Sequence, residues 1–332
     1  MPPTPSRLWL TRIPGPRLTA SVTNSESEAR RQLVDNLAML FVCFLIGIVL
    51  HHSRFVPDGT HTGINAFIIS ISLPAVILAQ VHTVSYHPTM AVAAIMPWVL
   101  FAVGTVTFGL LGWALKLPRT TTGALIVMGG LGNTSFIGLP MIEAFYGAEW
   151  MPVGIIVDQL GTYLVLSTIG ILVICLYAEG VVTRREILRR LLPFPPLIAL
   201  VVALILIRVP YPAWLTSTLL RLGGTLAPLA LVSVGLQLRL GALRGNRSLM
   251  AAGLGYKLLL APAIAALVVL GILNLRGPTA NVTLFEAGMA PQIGGSIVAI
   301  QYGLDARLIT LMVGVGTVVS FATLPGWWYM FH

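Results

Sequence analysis

The chain has 332 residues, of which 56% are hydrophobic and only 9% are charged. Together with a mean hydropathy of +0.90, this composition excludes a soluble enzyme, a nucleic-acid-binding domain and a secreted disulfide-rich domain, and indicates an integral membrane protein. The formal net charge of +9 comes mostly from basic residues in short loops, where they set the orientation of membrane helices. We therefore expect the lipid bilayer, and no nucleic acid, as a partner.

The first 36 residues are rich in proline, arginine and serine and contain no apolar run beyond a few residues. They fit neither a signal peptide nor a packed domain, and they predict a mobile N-terminal tail over 1–36. Ten apolar runs bounded by proline, glycine and charge follow, and each predicts a transmembrane helix. The runs cover 37–52, 63–81, 90–115, 121–146, 151–178, 194–209, 213–238, 248–272, 279–302 and 306–328.

Basic residues divide unevenly between the two sides of this arrangement. Eleven lie on the side that holds the loop 179–193, and four lie near the membrane on the side of the termini. Because basic loops stay in the cytoplasm, the pattern predicts that 179–193 is a basic cytoplasmic loop and that both termini are non-cytoplasmic. We expect a multi-pass protein of the plasma (inner) membrane.

The loop 179–193 separates two halves of five spans each, 37–178 and 194–328. Since five is odd, the halves cross the membrane in opposite senses, which allows an inverted repeat. Aligning 132–147 with 288–303 gives five identities, and the second span of each half carries a central proline, Pro74 or Pro228. The sequence thus predicts an all-α membrane protein of ten transmembrane helices in two inverted five-helix repeats.

The fourth and ninth spans contain residues that interrupt helices. The fourth combines four glycines with Asn133, Thr134, Ser135 and Pro140, and the ninth carries Glu286, Gly288, Pro291, Gln292 and Ser296. Glycine costs about 1 kcal/mol and proline about 3 kcal/mol inside a helix, so both spans should be broken. Broken backbone at membrane depth must be buried in protein or line a cavity, and paired breaks indicate the central site of a transporter. Small residues also allow close helix packing, but packing alone does not require these prolines and amides.

The segment Asn133–Pro140, followed by Glu143 and Tyr146-Gly147, resembles the signature of the auxin efflux carrier family, and 290–305 is similar to the matching segment of its second half. The resemblance implies broken crossover helices 4 and 9 and transport of small organic anions, such as auxin-like acids or mono- and dicarboxylates. The resemblance also implies that Asn133, Pro291 and Gln292 bind the substrate. Asp158 is similar to an aspartate of the family. The start of the ninth span also resembles the sodium-coupled bile acid symporters. The full set of candidate substrate-binding residues is Asn133, Thr134, Ser135, Pro140, Pro291 and Gln292.

Ionisable residues within the spans are costly and are therefore functional candidates. Leaving aside the first two and last two residues of each span, they are Glu143, Asp158, Arg221, Lys257 and Glu286. Glu286 is a candidate for ion coupling, either by binding Na⁺ together with Gln292 or by carrying a proton, and the alternative is a structural ion pair with Arg221 or Lys257. Asp158 is a candidate either for ion coupling or for capping a broken helix. Glu143 is expected near the membrane interface.

These observations favour a secondary transporter of small organic anions that works by alternating access and has no cofactor apart from Na⁺ or H⁺ coupling. The nearest alternative is a sodium-coupled symporter of bile-acid-like amphipathic acids. A membrane-embedded enzyme is disfavoured because the sequence holds no nucleophile–base or metal constellation. A channel is disfavoured because the polar groups cluster at one depth. The sequence leaves open a homodimer, the identity of the anion and the direction of transport.

Overall fold

The computed structural model describes residues 18–53, 55–81, 89–178, 194–207, 209–238 and 247–331, with side chains from residue 34 onward. The predicted loop 179–193 and residues 1–17 of the predicted tail lie outside these ranges. The described residues form helices and no strand. The helices are α1 (Leu18–Ser53), α2 (Thr60–Val81), α3 (Met90–Ala114), α4a (Arg119–Gly130), α4b (Thr134–Phe145), α5 (Ala148–Tyr177), α6 (Pro195–Ile205), α7 (Ala213–Gln237), α8 (Arg247–Ile272), α9a (Pro278–Ala287), α9b (Ile293–Gln301) and α10 (Ala306–Phe331).

Seven of these helices have the length and apolar character needed to cross a membrane. They are the Val34–Ser53 part of α1 and all of α2, α3, α5, α7, α8 and α10, and two shorter apolar helices, α4b and α6, accompany them. The chain is therefore an all-α, multi-pass membrane protein, as its composition indicated. Helix α1 begins at Leu18, so part of the 1–36 segment is helical, and the mobility of that segment stays a prediction.

Helices α1 and α7 cross with their backbones in contact. A Cβ atom added at Gly47 would overlap the carbonyl oxygen of Val232, and one added at Gly235 would overlap that of Phe44. Glycine permits this approach, as small residues do between membrane helices. The outer face of α1 keeps Phe41, Val42 and other large apolar side chains exposed, as a lipid-facing helix requires.

Helix α2 joins this pair and packs against α6 and α7. A π-helical stretch, Ile68–Ser72, precedes Pro74, and α7 is interrupted at Gly224-Thr225, shortly before Pro228. The hydroxyl groups of Ser72 and Thr225 are hydrogen bonded at 2.7 Å. The two proline-containing helices are therefore linked at the places where each departs from regular α geometry.

Helices α3, α5, α8 and α10 surround the two broken helices, whose first halves are α4a and α9a. Glycines of α4a pack against aromatic rings of α3, Gly129 on Phe108 and Gly130 on Phe101. All residues from Thr121 to Asn133 are buried. A helix buried on every side normally lies in the interior of a bundle, so α4a brings its C-terminal end deep into the protein.

Candidate functional site

The two interrupted helices meet at their unwound segments. Helix α4a ends at Gly130 and α4b begins at Thr134, whereas α9a ends at Ala287 and α9b begins at Ile293. The Asn133 N–H donates to the Ala290 carbonyl at 2.7 Å, and the Gln292 N–H donates to the Leu131 carbonyl at 3.1 Å. These bonds form an antiparallel bridge between Gly132 and Pro291. Backbone N–H and C=O groups that each break leaves without helical partners are thereby hydrogen bonded to the other break, as buried backbone groups require.

Local sequence explains the position of the bridge. A Cβ atom at Gly132 would lie 3.2 Å from Lys257 Nζ, so a larger residue would press on that ammonium group. Pro291 has no N–H and therefore leaves no buried donor unpaired at the bridge. Pro140 lies away from the interruption, buried near the start of the regular helix Leu139–Phe145 and after the π-helical turn Thr134–Gly138. The break attributed partly to Pro140 thus occurs before it, at Leu131–Asn133.

Two amide side chains at the restart of the helices each have one polar atom without a hydrogen-bond partner among the described residues. The Oδ1 atom of Asn133 accepts from the Phe136 N–H at 3.3 Å, which leaves Nδ2 without a partner among the described residues. Gln292 Oε1 is likewise unpartnered within the described part of the chain. The two side chains are 2% and 8% exposed. Buried amides without partners cost free energy unless a ligand or water binds them.

The N-terminal turns of α4b and α9b lie beside these amides. Such turns present free N–H groups and a partial positive charge, which favour an anion. At Gly294, in the first turn of α9b, a Cβ atom would meet no described atom within 4 Å, so the backbone is open to a ligand. A cavity of about 500 Å³ reaches Ile293 and Ser296 of α9b and is also lined by ends of α1, α2, α7 and α10.

Asp158 of α5 anchors the start of α4b. Its carboxylate accepts hydrogen bonds from Thr134 Oγ1 at 2.5 Å, Ser135 Oγ at 2.5 Å and Gln159 Nε2 at 2.6 Å. Asp158 is 1% exposed. Three donors on one carboxylate stabilise its charge in the interior, and the bonds join the first turn of α4b to the neighbouring helix.

Glu286, the penultimate residue of α9a, has a different environment. It is 1% exposed, and neither carboxylate oxygen has a hydrogen-bond partner among the described residues. A Cβ atom added at Gly138 would lie 2.5 Å from Glu286 Oε1, and one added at Gly154 would lie 3.5 Å from it. Two glycines therefore provide the space for this carboxylate. The charged groups that interact with it are Asp158 and Lys257.

Lys257 of α8 lies at the same junction and is 2% exposed. Its ammonium group donates to the carbonyl of Ala287 at 2.8 Å. Lys257, Glu286, Thr134, Thr162 and Thr283 line a cavity of about 20 Å³. A polar cavity of this size holds about one water molecule.

The structure brings together most of the residues singled out from the sequence. Asn133, Thr134, Ser135, Asp158, Glu286, Pro291 and Gln292 lie at or beside the junction of the two breaks. Glu143 is exposed near the end of α4b, and Arg221 is exposed on α7. Glu286 forms no hydrogen-bonded ion pair with Lys257 or Arg221. Gly138 is one of the four glycines of the predicted break, but its contact with Glu286 could not be foreseen. Sequence reasoning missed Gln159 and Gly154, because no local pattern marks the hydrogen bond of Gln159 to Asp158 or the packing of Gly154 beside Glu286.

Helix interruptions that meet in the protein interior are typical of the substrate sites of secondary transporters. Residues 32–328 match the family described as membrane transport protein, and the chain belongs to this family. The resemblance to auxin efflux carrier-type proteins is thereby confirmed. The protein is a transporter and not an enzyme.

Two archaeal relatives are similar over nearly their whole length. An uncharacterized transporter of Methanothermobacter thermautotrophicus is 26% identical over 299 residues, which cover 88% of this chain and 96% of the relative. An uncharacterized transporter of Methanocaldococcus jannaschii is 26% identical over 303 residues, 89% of this chain and 97% of the relative. Both matches agree with transport as the general function.

Proposed function

We propose that the protein is a secondary transporter that moves small organic anions, such as auxin-like acids or mono- and dicarboxylates, across the plasma membrane by alternating access. The observation that carries the proposal is the unpartnered Nδ2 of Asn133 beside the N-terminal turns of α4b and α9b. A carboxylate accepts hydrogen bonds from an amide donor and from the free N–H groups of a helix start. Asn133 and Gln292 contact the substrate in this proposal, and Thr134, Ser135, Pro140 and Pro291 shape the site.

The architecture in this proposal is ten transmembrane helices in two inverted five-helix repeats, with α4 and α9 as the crossover helices. Two contacts support it because each joins corresponding regions of the two halves. One is the Ser72–Thr225 hydrogen bond, beside the central prolines of the second helix of each half. The other is the bridge between Gly132 and Pro291, at the breaks of the fourth helix of each half.

The orientation in the membrane is also a proposal. We place both termini outside the cytoplasm, so that the 500 Å³ cavity beside the C-terminal end of α1 opens toward the cytoplasm. The test is labelling of intact cells with an impermeant thiol reagent, after replacing the native cysteines Cys43 and Cys175. Ser25→Cys should be labelled and Ile187→Cys should be protected. The reverse pattern would invert the topology.

A sodium-coupled symporter of bile-acid-like amphipathic acids is the second candidate, favoured by one observation. Glu286 is a buried carboxylate without a hydrogen-bond partner in the described part of the chain, directly before the break that contains Gln292. Carboxylate and amide oxygens suit a hard cation such as Na⁺. Substrate binding that requires Na⁺ at fixed ionic strength, with bile acids preferred over small carboxylates, would favour this candidate.

The experiment for the proposed function is a binding screen of the purified protein against small mono- and dicarboxylates. A ligand at 100 times its Kd stabilises the folded state by about 2.7 kcal/mol, which a thermal-shift assay detects. Asn133→Ala should weaken binding of the best ligand by roughly tenfold or more, because a hydrogen bond to a charged group contributes about 1.5–3 kcal/mol.

The matched control is Asn281→Ala, which removes an amide of intermediate exposure from the first turn of α9a. This variant should bind like the wild type. If Asn133→Ala folds and keeps the wild-type affinity and transport rate, Asn133 does not contact the substrate. If no carboxylate binds under any condition, the substrate class is wrong.

A further inference from the structure

The first half-helices of both broken spans end at the same buried junction. Helix α4a ends at Gly130 and α9a ends at Ala287. The last carbonyl groups of a helix lack intrahelical partners and carry a partial negative charge. In transporters with discontinuous helices, such ends and the unwound carbonyls beside them hold the coupling cation. The junction therefore attracts a positive charge.

Lys257 supplies that charge from α8. Its Nζ atom donates to the carbonyl of Ala287, the last residue of α9a, at 2.8 Å. The same Nζ lies 3.2 Å from the position of a Cβ atom at Gly132, in the unwound segment of α4. The ammonium group thus binds one interruption and lies beside the other.

The buried carboxylate of Glu286 offsets part of the cost of placing the Lys257 ammonium group in the protein interior. An isolated buried ammonium is strongly unfavourable, but the Glu286 carboxylate attracts the Lys257 ammonium group, while the Asp158 carboxylate repels that of Glu286. The described part of the junction holds two carboxylates and one ammonium group. These groups sum to one net negative charge when both carboxylates are ionised and to zero when one of them is protonated, so neutrality does not require a bound metal ion.

A sodium ion in the 20 Å³ cavity would share it with the ammonium group, since Lys257 and Glu286 both line that cavity. Two unit positive charges about 4 Å apart repel by about 4 kcal/mol at an effective dielectric constant of 20. The charged Lys257 would thus weaken Na⁺ binding roughly a thousandfold relative to the same cavity with an uncharged side chain. A neutral water molecule carries no such penalty. The geometry thus disfavours Na⁺ as long as Lys257 is charged.

We propose that the ammonium group of Lys257 is a built-in substitute for the coupling cation, so that this transporter binds its substrate without Na⁺. The inference rests on the proposed carrier function, of which it specifies the ion requirement. Lys257 acts here as a positioning residue. Its charge holds the C-terminal end of α9a against the unwound segment of α4, and thereby fixes the restart of both helices where the substrate binds.

The test compares the wild type with Lys257→Met, which keeps most of the side-chain stem and removes the charge. Melting temperature and carboxylate affinity are measured in NaCl, KCl and choline chloride at equal ionic strength. In the wild type both quantities should be the same in all three salts, within about twofold for the affinity. Lys257→Met should bind roughly tenfold or more weakly in KCl and choline chloride, and Na⁺ alone should restore binding and raise the melting temperature by about 2 °C or more.

The matched control is Lys116→Met, which removes the only other lysine of the chain, an exposed residue after α3. It should show no selective response to Na⁺. Wild-type affinity that rises tenfold or more with Na⁺ would overturn the proposal, and so would a folded Lys257→Met protein that ignores Na⁺.

If Lys257→Met does not fold, Lys257→Gln provides a second neutral variant, and the wild-type measurement still decides the proposal on its own. If no carboxylate binds the wild type in any salt, the proposed substrate class fails. The melting temperatures then decide the role of Lys257 separately, because they require no substrate.

Discussion

Asp158 and Glu286 are two buried carboxylates at the junction of the broken helices, and their surroundings differ. Asp158 accepts three hydrogen bonds, two of them from the first turn of α4b. Glu286 accepts none from the described residues and lies in space left by two glycines. Fully satisfied buried networks make a structure rigid, whereas an unsatisfied buried group is a candidate for binding an ion, a proton or water.

The start of α4b is therefore held in place by Asp158, whereas Glu286 at the end of α9a has no hydrogen bond among the described residues that fixes its carboxylate. The Asp158 bonds fix the start of α4b against α5, so this part of the proposed substrate site is preorganised. The carboxylate of Glu286 is free to change its partner or its protonation when the protein moves. Three substitutions test this difference, and we order them by their expected effect on stability.

Asp158→Ala should have the largest effect on stability. The substitution leaves the hydroxyl groups of Thr134 and Ser135 and the amide of Gln159 without their acceptor in a buried site. We expect a loss of about 3–5 kcal/mol, because several donors lose a bond to a charged group at once. Denaturant unfolding of the purified protein measures it. Ser135→Ala, which removes one bond, should cost about 1–2 kcal/mol, and a smaller loss for Asp158→Ala than for Ser135→Ala would contradict the anchoring role.

Gly138→Ala should have an intermediate effect. The added Cβ atom would lie 2.5 Å from Glu286 Oε1, so the carboxylate must move, at a cost of about 1–3 kcal/mol typical of overpacking. The control is Gly294→Ala, where the Cβ atom meets open space and a helical position should tolerate alanine. In a double-mutant cycle, Gly138→Ala should cost much less unfolding free energy when Glu286 is already replaced by alanine. If the two changes in unfolding free energy are strictly additive, the strain does not come from contact between position 138 and Glu286.

The extent of the helices could be predicted from the sequence because apolar runs, glycines, prolines and charges are local signals. The predicted spans 90–115 and 213–238 correspond to helices Met90–Ala114 and Ala213–Gln237. The two interruptions could be predicted for the same reason, since glycine and proline disfavour helix wherever they occur. The alignment of the two halves also placed Gly132 and Pro291 in corresponding segments.

The contacts across the junction could not be predicted, because they depend on how distant segments pack. No local pattern places Asp158 against Thr134, 24 residues away. The sequence indicates Lys257 as a charge within a span and as one possible ion-pair partner of Glu286, yet its hydrogen bond is to the carbonyl of Ala287. Carbonyl groups freed by a helix break carry no signature in the amino-acid sequence, so this bond appears only in three dimensions.

Glu286→Gln should have the smallest effect on stability and a distinct effect on function. The carboxylate has no hydrogen-bond partner to lose among the described residues, and removing its charge leaves one carboxylate, Asp158, to balance the ammonium group of Lys257. We therefore expect a change in unfolding free energy within about 1 kcal/mol, less than that of Asp158→Ala. The glutamine nearly keeps the shape of the side chain, so the space at Gly138 remains filled.

The pH and Na⁺ dependence of transport by the Glu286→Gln variant distinguishes a proton-carrying role of this carboxylate from a Na⁺-binding role. If Glu286 carries a proton, glutamine mimics the protonated form, and the dependence of transport on pH should flatten without any response to Na⁺, as the charge of Lys257 leads us to expect. If Glu286 binds Na⁺, a sodium dependence present in the wild type should disappear in the variant. Uptake into vesicles across a range of pH, with NaCl or choline chloride, distinguishes these results. A folded Glu286→Gln protein whose transport keeps the wild-type dependence on both pH and Na⁺ would exclude Glu286 from ion coupling and leave it as a carboxylate that only fills the space beside Gly138 and Gly154.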